Sequence, residues 1–154
     1  MIMPLAEPAA ALLGRLLLSA IFLHEAFGKL SAYSMAVAYM QAFGVPGRLL
    51  PLAIGVELVC GLLVLFGYKT RIAGLLLAGF CAATAVLFHT KFGIRNELLH
   101  FQKDLAIAGG MLILAACGAG AWSIDGLVAA RRLAGNKARL PWVFDCTADL
   151  AEQE

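Results

Sequence analysis

Charged side chains are scarce in this chain of 154 residues. Asp, Glu, Lys and Arg together make up 14% of it, whereas 62% of its residues are hydrophobic. Soluble domains are about 25% charged and about 45–50% apolar, so this composition excludes a soluble globular enzyme. The formal net charge of +2 supplies no basic field for binding nucleic acid. We therefore expect a small integral membrane protein surrounded by lipid.

The chain also lacks the paired motifs of common redox and metal sites. Its cysteines contain no Cys-x-x-Cys pair, which excludes a thioredoxin-like dithiol enzyme. No cluster has the ligand spacing of a zinc site, and Glu-x-x-His pairs on two helices, which a di-iron bundle requires, are not present. We expect no metal site, and we expect the cysteines to be packing residues without a disulfide. They are Cys60, Cys81, Cys117 and Cys146.

Long hydrophobic runs account for most of the chain. They lie at Ala9–Phe27, Leu49–Phe66, Ile72–Phe88 and Leu105–Gly120. A bilayer span needs about 20 residues, with a range of about 17–25, so flanking residues must complete these runs. Spans of this kind are helices, because lipid leaves no partner for irregular backbone. The sequence therefore predicts an all-α fold, a membrane four-helix bundle.

Short segments beside the spans also have helical patterns. Met35, Tyr39 and Phe43 recur every four residues, which predicts a short interfacial helix after the first span, with its apolar stripe packed on the bundle. Ile124–Leu133 predicts an amphipathic helix after the fourth span.

The chain is accordingly divided into a four-span domain, residues 1–126, and an amphipathic tail, residues 127–154. The tail either lies on anionic lipid as a surface anchor or docks a soluble redox partner protein.

Basic residues are distributed unevenly between the two membrane faces. Excess Lys and Arg mark the cytoplasmic side, so a six-to-five excess beside the termini predicts that both termini are cytoplasmic. The six are Lys69, Arg71, Arg131, Arg132, Lys137 and Arg139, and the five are Lys29, Arg48, Lys91, Arg95 and Lys103.

An ionisable residue lies in the middle of the second span. Glu57 has small residues four positions away on either side, Ala53 and Gly61, and small residues let another helix approach closely. We expect its carboxylate to face the bundle interior, where it accepts a hydrogen bond from a cation or becomes protonated. Arg15 is the predicted partner, because counting from the membrane face puts the two residues at depths about 6 Å apart. Their ion pair is either a structural fixture or part of a ligand site.

A second polar cluster is predicted at the opposite face. Lys29 ends the first span, His89 ends the third, and His100 and Lys103 precede the fourth. These ends meet in a four-helix bundle, where His and Lys can donate hydrogen bonds to carbonyl oxygens and exchange protons near neutral pH. We expect these four residues and Glu57 to bind a ligand. The alternative is that each is an ordinary charge at a helix end.

Several short motifs follow one another in a characteristic order between about residues 10 and 126. They are Gly14-Arg15-Leu16-Leu17-Leu18, Phe27-Gly28-Lys29-Leu30, Glu57-Leu58-Val59-Cys60-Gly61, Gly67-Tyr68-Lys69-Thr70-Arg71, Leu87-Phe88-His89, His100-Phe101-Gln102-Lys103-Asp104-Leu105-Ala106, Gly109-Gly110 and Trp122-Ser123-Ile124-Asp125. Their order and spacing together resemble the DoxX family of small bacterial membrane proteins.

The resemblance implies a four-helix bundle in the bacterial inner membrane. It also implies an association with redox complexes, because relatives include the membrane subunit of a thiosulfate:quinone oxidoreductase. Asp104 departs from the family pattern, in which asparagine is more usual, so it adds a charge beside Lys103.

The leading hypothesis is a redox-associated membrane protein, an oxidoreductase subunit, that binds a quinone-like molecule between its helices. One alternative is a small-solute or proton-coupled transporter component in which Glu57 titrates. Another is a membrane scaffold whose tail recruits a soluble redox enzyme. The stripes of small residues also favour a homo-oligomer.

Overall fold

The computed structural model describes residues 6–90, 92–93 and 95–135, and within them every regular element is a helix. The helices are α1 Ala6–Ser31, α2 Tyr33–Ala42, α3 Leu50–Phe66, α4 Thr70–Phe88, α5 Arg95–Cys117 and α6 Ile124–Gly135, with a 3₁₀ turn at Gly47–Leu49 before α3. Four of the described helices, α1, α3 with its preceding turn, α4 and α5, are long and apolar enough to cross a membrane. The predicted all-α membrane bundle is thus confirmed, and so is the helix predicted at Ile124–Leu133.

The fourth span begins ten residues earlier than its hydrophobic run indicated. The run was placed at Leu105–Gly120, whereas α5 begins at Arg95 and ends at Cys117. A hydropathy run detects only the apolar part of a helix, and the first turns of α5 are polar. The early start places His100 and Lys103 on a helix that continues into the span.

Close helix packing depends on small residues at the crossing points. A side chain at Gly61 would touch Phe22 and Leu23 of α1, and one at Gly74 would lie 3.0 Å from the backbone oxygen of Met111 in α5. Between these contacts lies the main core, in which Val64, Leu77 and Met111 are fully buried. The bundle therefore runs α1 against α3, α3 against α4 and α4 against α5.

The short helix α2 crosses the end of the bundle where α1 ends and α3 begins. Its Met40 is buried in a second core cluster with Ala26, Leu50 and Ile54. The stripe predicted for this helix is only partly correct. Tyr39 and Phe43 both pack their rings against Phe88 of α4, with centroids 5.6 Å apart in each pair, but Met35 is 72% exposed.

The opposite end of the bundle is held by a contact between two distant motifs. The carboxylate of Asp125 accepts hydrogen bonds of 2.9 Å from the backbone N–H groups of Lys69 and Thr70, so it caps the start of α4. The backbone N–H of Asp125 donates in return to the carbonyl oxygen of Gly67 at 2.8 Å. The segment from Trp122 to Asp125 thereby fastens the turn between α3 and α4.

Gly67 lies at the centre of this contact. It ends α3 in the left-handed conformation, with φ of 67°, and a Cβ there would collide with Nη1 of Arg15 and with the Cβ of Ser123. Glycine is therefore required both by the backbone and by the space.

We predict that Gly67→Ala destabilises the protein by about 2 kcal/mol or more, because it adds left-handed strain and a steric collision. The matched control is Gly79→Ala in α4, since nothing lies within 4 Å of a Cβ at Gly79. Unfolding in detergent, followed by circular dichroism against temperature and added dodecyl sulfate, measures both variants. Equal stability of the two variants would contradict this role of Gly67.

Candidate functional site

A buried ion pair between Lys29 and Glu57 forms the centre of the candidate site. Glu57 is only 3% exposed, as its small neighbours predicted. Nζ of Lys29 donates to the two carboxylate oxygens of Glu57 at 2.9 and 3.0 Å, and to Oε2 of Glu25 at 3.2 Å. An isolated charge in hydrocarbon costs at least about 2.5 kcal/mol, so these contacts are what make a carboxylate acceptable at this depth.

The predicted Arg15–Glu57 ion pair is wrong. Arg15 is 2% exposed and lies at the level of Gly67, while Glu57 lies ten residues earlier in the same helix. Ten residues of helix span about 15 Å, which is beyond the reach of an arginine side chain. The estimate of similar depth for Arg15 and Glu57 failed because it assumed where the two helices start at the membrane face. In the structure, α1 is shifted along α3 from that assumed position. The partner of Glu57 is Lys29, whose side chain points back towards the N-terminus of α1.

Arg15 belongs instead to the contact at the other end of the bundle. Its Nη2 donates to the carbonyl oxygen of Trp122 at 2.8 Å, and the charge of Asp125 also acts on it. Nε and Nη1 are buried and have no hydrogen-bond partner among the described residues. Arg15 thus ties α1 to the Trp122–Asp125 segment and lies apart from the ligand-binding residues that we predicted.

His89 and His100 do come together, as predicted for the helix ends. Their imidazole rings stack with centroids 5.0 Å apart and planes inclined by 22°. Nδ1 of His89 lies 2.9 Å from Oε2 of Glu97, which sequence reasoning missed. The signal was available, because Glu97-x-x-His100 puts both side chains on one face of α5. Among the described residues, no group of three or more His, Cys, Asp or Glu side chains is arranged to hold a metal ion.

Lys103 and Asp104 follow His100 by one turn of α5. Asp104 lies 3.4 Å from the hydroxyl of Thr84 in α4. Lys103 itself is exposed.

Tyr39 lies over the same end of the bundle, on α2. Burial raises the pKa of its phenol, and the nearby carboxylates of Glu97 and Asp104 raise it further. The phenol therefore stays protonated at any physiological pH and keeps its hydrogen available for donation. Phe88, which stacks on the Tyr39 ring at 5.6 Å, directly precedes His89.

The polar side chains of the site differ in whether their hydrogen-bonding groups are already used. The three hydrogens of the Lys29 ammonium are matched by its three contacts with Glu25 and Glu57, so Lys29 is committed to the ion pair. His89 uses one ring nitrogen on Glu97, which leaves Nε2 as the atom for another partner. Of these groups, His89 can therefore contact another molecule, whereas Lys29 serves the ion pair.

Comparisons with known proteins agree on one family. The DoxX family profile matches residues 10–90. Inner membrane protein YqjF of Escherichia coli strain K12 is 44% identical over 122 residues, which cover 79% of this chain and 94% of that protein. Inner membrane protein YphA of the same strain is 31% identical over 127 residues, covering 78% and 91%. No solved structure matches the chain.

We predict that Lys29→Met costs about 3–5 kcal/mol of stability, because it leaves the Glu57 carboxylate buried without a cation. The double variant Lys29→Met/Glu57→Gln recovers most of that loss, since it removes the orphaned charge as well. Dodecyl sulfate titration of the detergent-solubilised protein measures all variants.

Glu25→Gln is the control for this cycle. The Glu25 side chain is 52% exposed, against 4% for Glu57, so its loss changes stability by at most about 1 kcal/mol. A double variant no more stable than Lys29→Met alone would show that Glu57 does not depend on Lys29.

Proposed function

We propose that this integral membrane protein, which belongs to the DoxX family, is a redox-associated subunit that binds a quinone-like molecule. The site is the end of the bundle that carries His89, His100 and the Lys29–Glu57 pair. A soluble redox partner protein would supply or accept the electrons. Two histidines at the ends of apolar membrane spans support this proposal, because a quinone is an apolar ring with two carbonyl oxygens.

The observation that carries the proposal is the contact between His89 and Glu97. A carboxylate 2.9 Å from Nδ1 orients the imidazole ring and leaves Nε2 for the ligand. A charged imidazole can donate from Nε2 to a carbonyl oxygen, and such charge-assisted bonds are stronger than neutral ones. His100 stacks on the same ring and extends the polar surface outwards.

The other predicted ligand residues take different roles in this proposal. Lys29 does not contact the ligand, because Glu57 and Glu25 occupy its hydrogens. It holds the buried Glu57 carboxylate, which is the group that takes up or releases a proton. Lys103 is exposed beside Asp104 and offers a second donor at the rim of the site.

We further propose that the chain is a multi-pass protein of the bacterial inner membrane with both termini in the cytoplasm. Its relatives YqjF and YphA are named as inner membrane proteins. Lys29 was counted among the five cations on the face away from the termini. It is paired with Glu57 within the bundle, so it no longer counts as a surface cation. The excess beside the termini then rises from six against five to six against four.

We predict saturable binding of decylubiquinone to the purified full chain, measured by native mass spectrometry in detergent. Quinone that co-purifies is identified by solvent extraction and mass spectrometry. His89→Gln weakens binding about tenfold or more, because a charge-assisted hydrogen bond is worth about 1.5–3 kcal/mol.

His24→Gln is the matched control, because His24 is exposed on α1. It leaves decylubiquinone binding unchanged. Equal binding by His89→Gln and His24→Gln, or binding that does not saturate, would overturn the proposed site.

Proton-coupled transport is a second candidate, favoured by the difference in exposure between the two members of the ion pair. The Glu57 side chain is 4% exposed while that of Lys29 is 27% exposed. A buried carboxylate whose cation reaches a more open region is the arrangement expected of a proton carrier.

This candidate predicts proton flux in liposomes that contain the full chain and an internal pH-sensitive dye. Glu57→Gln abolishes the flux because it removes the titrating group, whereas Glu25→Gln retains it. Flux equal to that of empty liposomes would exclude transport of protons.

A further inference from the structure

We propose that a groove between α6 and the α3–α4 turn binds the phosphate of an anionic phospholipid. The groove has a volume of about 340 Å³, and the residues that line it include Tyr68, Lys69, Asp125, Val128, Arg132 and Leu133. It lies at the opposite end of the bundle from the Lys29–Glu57 pair and is independent of the proposed quinone site.

The position of the groove matches the headgroup level of a bilayer. One candidate span ends at Phe66 and the next begins at Thr70, so the turn between them emerges at the membrane surface. Tyr68 and Trp122 are 42% and 49% exposed at this end, and such aromatic residues are typical of the membrane–water interface. A lipid headgroup is therefore what the groove meets in its normal environment.

The charge of the groove is complementary to a phosphate. Lys69 and Arg132 both line it, against the single carboxylate of Asp125. Both oxygens of that carboxylate already accept backbone hydrogen bonds from Lys69 and Thr70. The groove thus has two cations against one carboxylate that is already hydrogen-bonded. An arginine and a lysine can both donate hydrogen bonds to the oxygens of a phosphate.

The backbone at Lys69 points to a role for its side chain. Lys69 has φ of 48° and is the one non-glycine residue with positive φ among those that the structure describes. This left-handed conformation costs a residue with a side chain about 1 kcal/mol or more, and glycine would adopt it without that cost. A need for the Lys69 ammonium group in the groove explains why a lysine occupies this position. Nζ of Lys69 lies there 5.7 Å from the centroid of the Tyr68 ring.

The apolar wall favours a lipid over a soluble anion. Val128 and Leu133 line the groove beside the cations, and they are 39% and 47% exposed. Leu127 on the same helix is 61% exposed. Such a surface gains from contact with glycerol and acyl carbons, whereas a free phosphate would gain only from the charges.

The experiment is a titration of the delipidated full chain with dioleoylphosphatidylglycerol, followed by native mass spectrometry. Dioleoylphosphatidylcholine is the zwitterionic comparison, and glycerol 3-phosphate is the soluble one. We expect phosphatidylglycerol to bind at least fivefold more tightly than phosphatidylcholine. Lys69→Gln and Arg132→Gln each reduce its affinity about fivefold, the effect of one basic side chain at a membrane surface.

Arg131→Gln is the matched control, since it makes the same charge change one residue away on α6 and outside the groove lining. It leaves phosphatidylglycerol affinity within about twofold of the starting protein. Equal losses for Arg131→Gln and Arg132→Gln would reduce the effect to diffuse electrostatics and overturn the proposal. So would equal affinity for the two lipids, or displacement of the lipid by millimolar glycerol 3-phosphate.

Lys69→Gly separates binding from folding. It relieves the left-handed strain, so the thermal unfolding temperature stays the same or rises, while phosphatidylglycerol affinity falls about fivefold as in Lys69→Gln. A Lys69→Gly variant that keeps the full lipid selectivity would show that the Lys69 side chain has no part in binding.

Discussion

A charge that lies among apolar helices must find its partner inside the protein, and this constraint organises the whole bundle. Glu57 is placed on the inner face of α3 by small neighbours, and Lys29 reaches back along α1 to meet it. The contact joins two helices at the end where α2 crosses the bundle. It also puts two charged side chains at the end of the bundle that carries the stacked histidines.

The other end of the molecule meets the same requirement by different means. Arg15 is buried, and its partner is a backbone carbonyl oxygen at Trp122 rather than a carboxylate in direct contact. The carboxylate of Asp125 caps the start of α4 instead. The two ends therefore have different characters. One end carries the Lys29–Glu57 ion pair and the stacked histidines. The other holds the Gly67–Asp125 contact, with Lys69 and Arg132 lining a groove.

The contact between the Gly67–Arg71 turn and the Trp122–Asp125 segment explains why both motifs are part of one sequence pattern. They are more than fifty residues apart in the chain, yet each satisfies backbone groups of the other. Gly67 is the point at which they touch, and a larger residue would displace Arg15 as well as Ser123. A family motif of this kind reflects a structural joint, whereas the histidines and the Lys29–Glu57 pair lie at the opposite end.

Hydropathy and residue spacing are local properties of the sequence, so they predict the number of spans, the inward direction of Glu57 and the short helices α2 and α6. The sequence also indicated that His89 and His100 meet, since consecutive antiparallel helices bring their ends together. The pairing of Glu57 with Lys29 instead of Arg15 follows from the way the helices pack. That choice depends on how far α1 is displaced along α3, which is set by packing contacts such as Gly61 against Phe22 and Leu23. A helix rises 1.5 Å per residue, so Arg15 and Lys29 differ by about 21 Å along α1, and the offset between α1 and α3 determines which of them reaches Glu57.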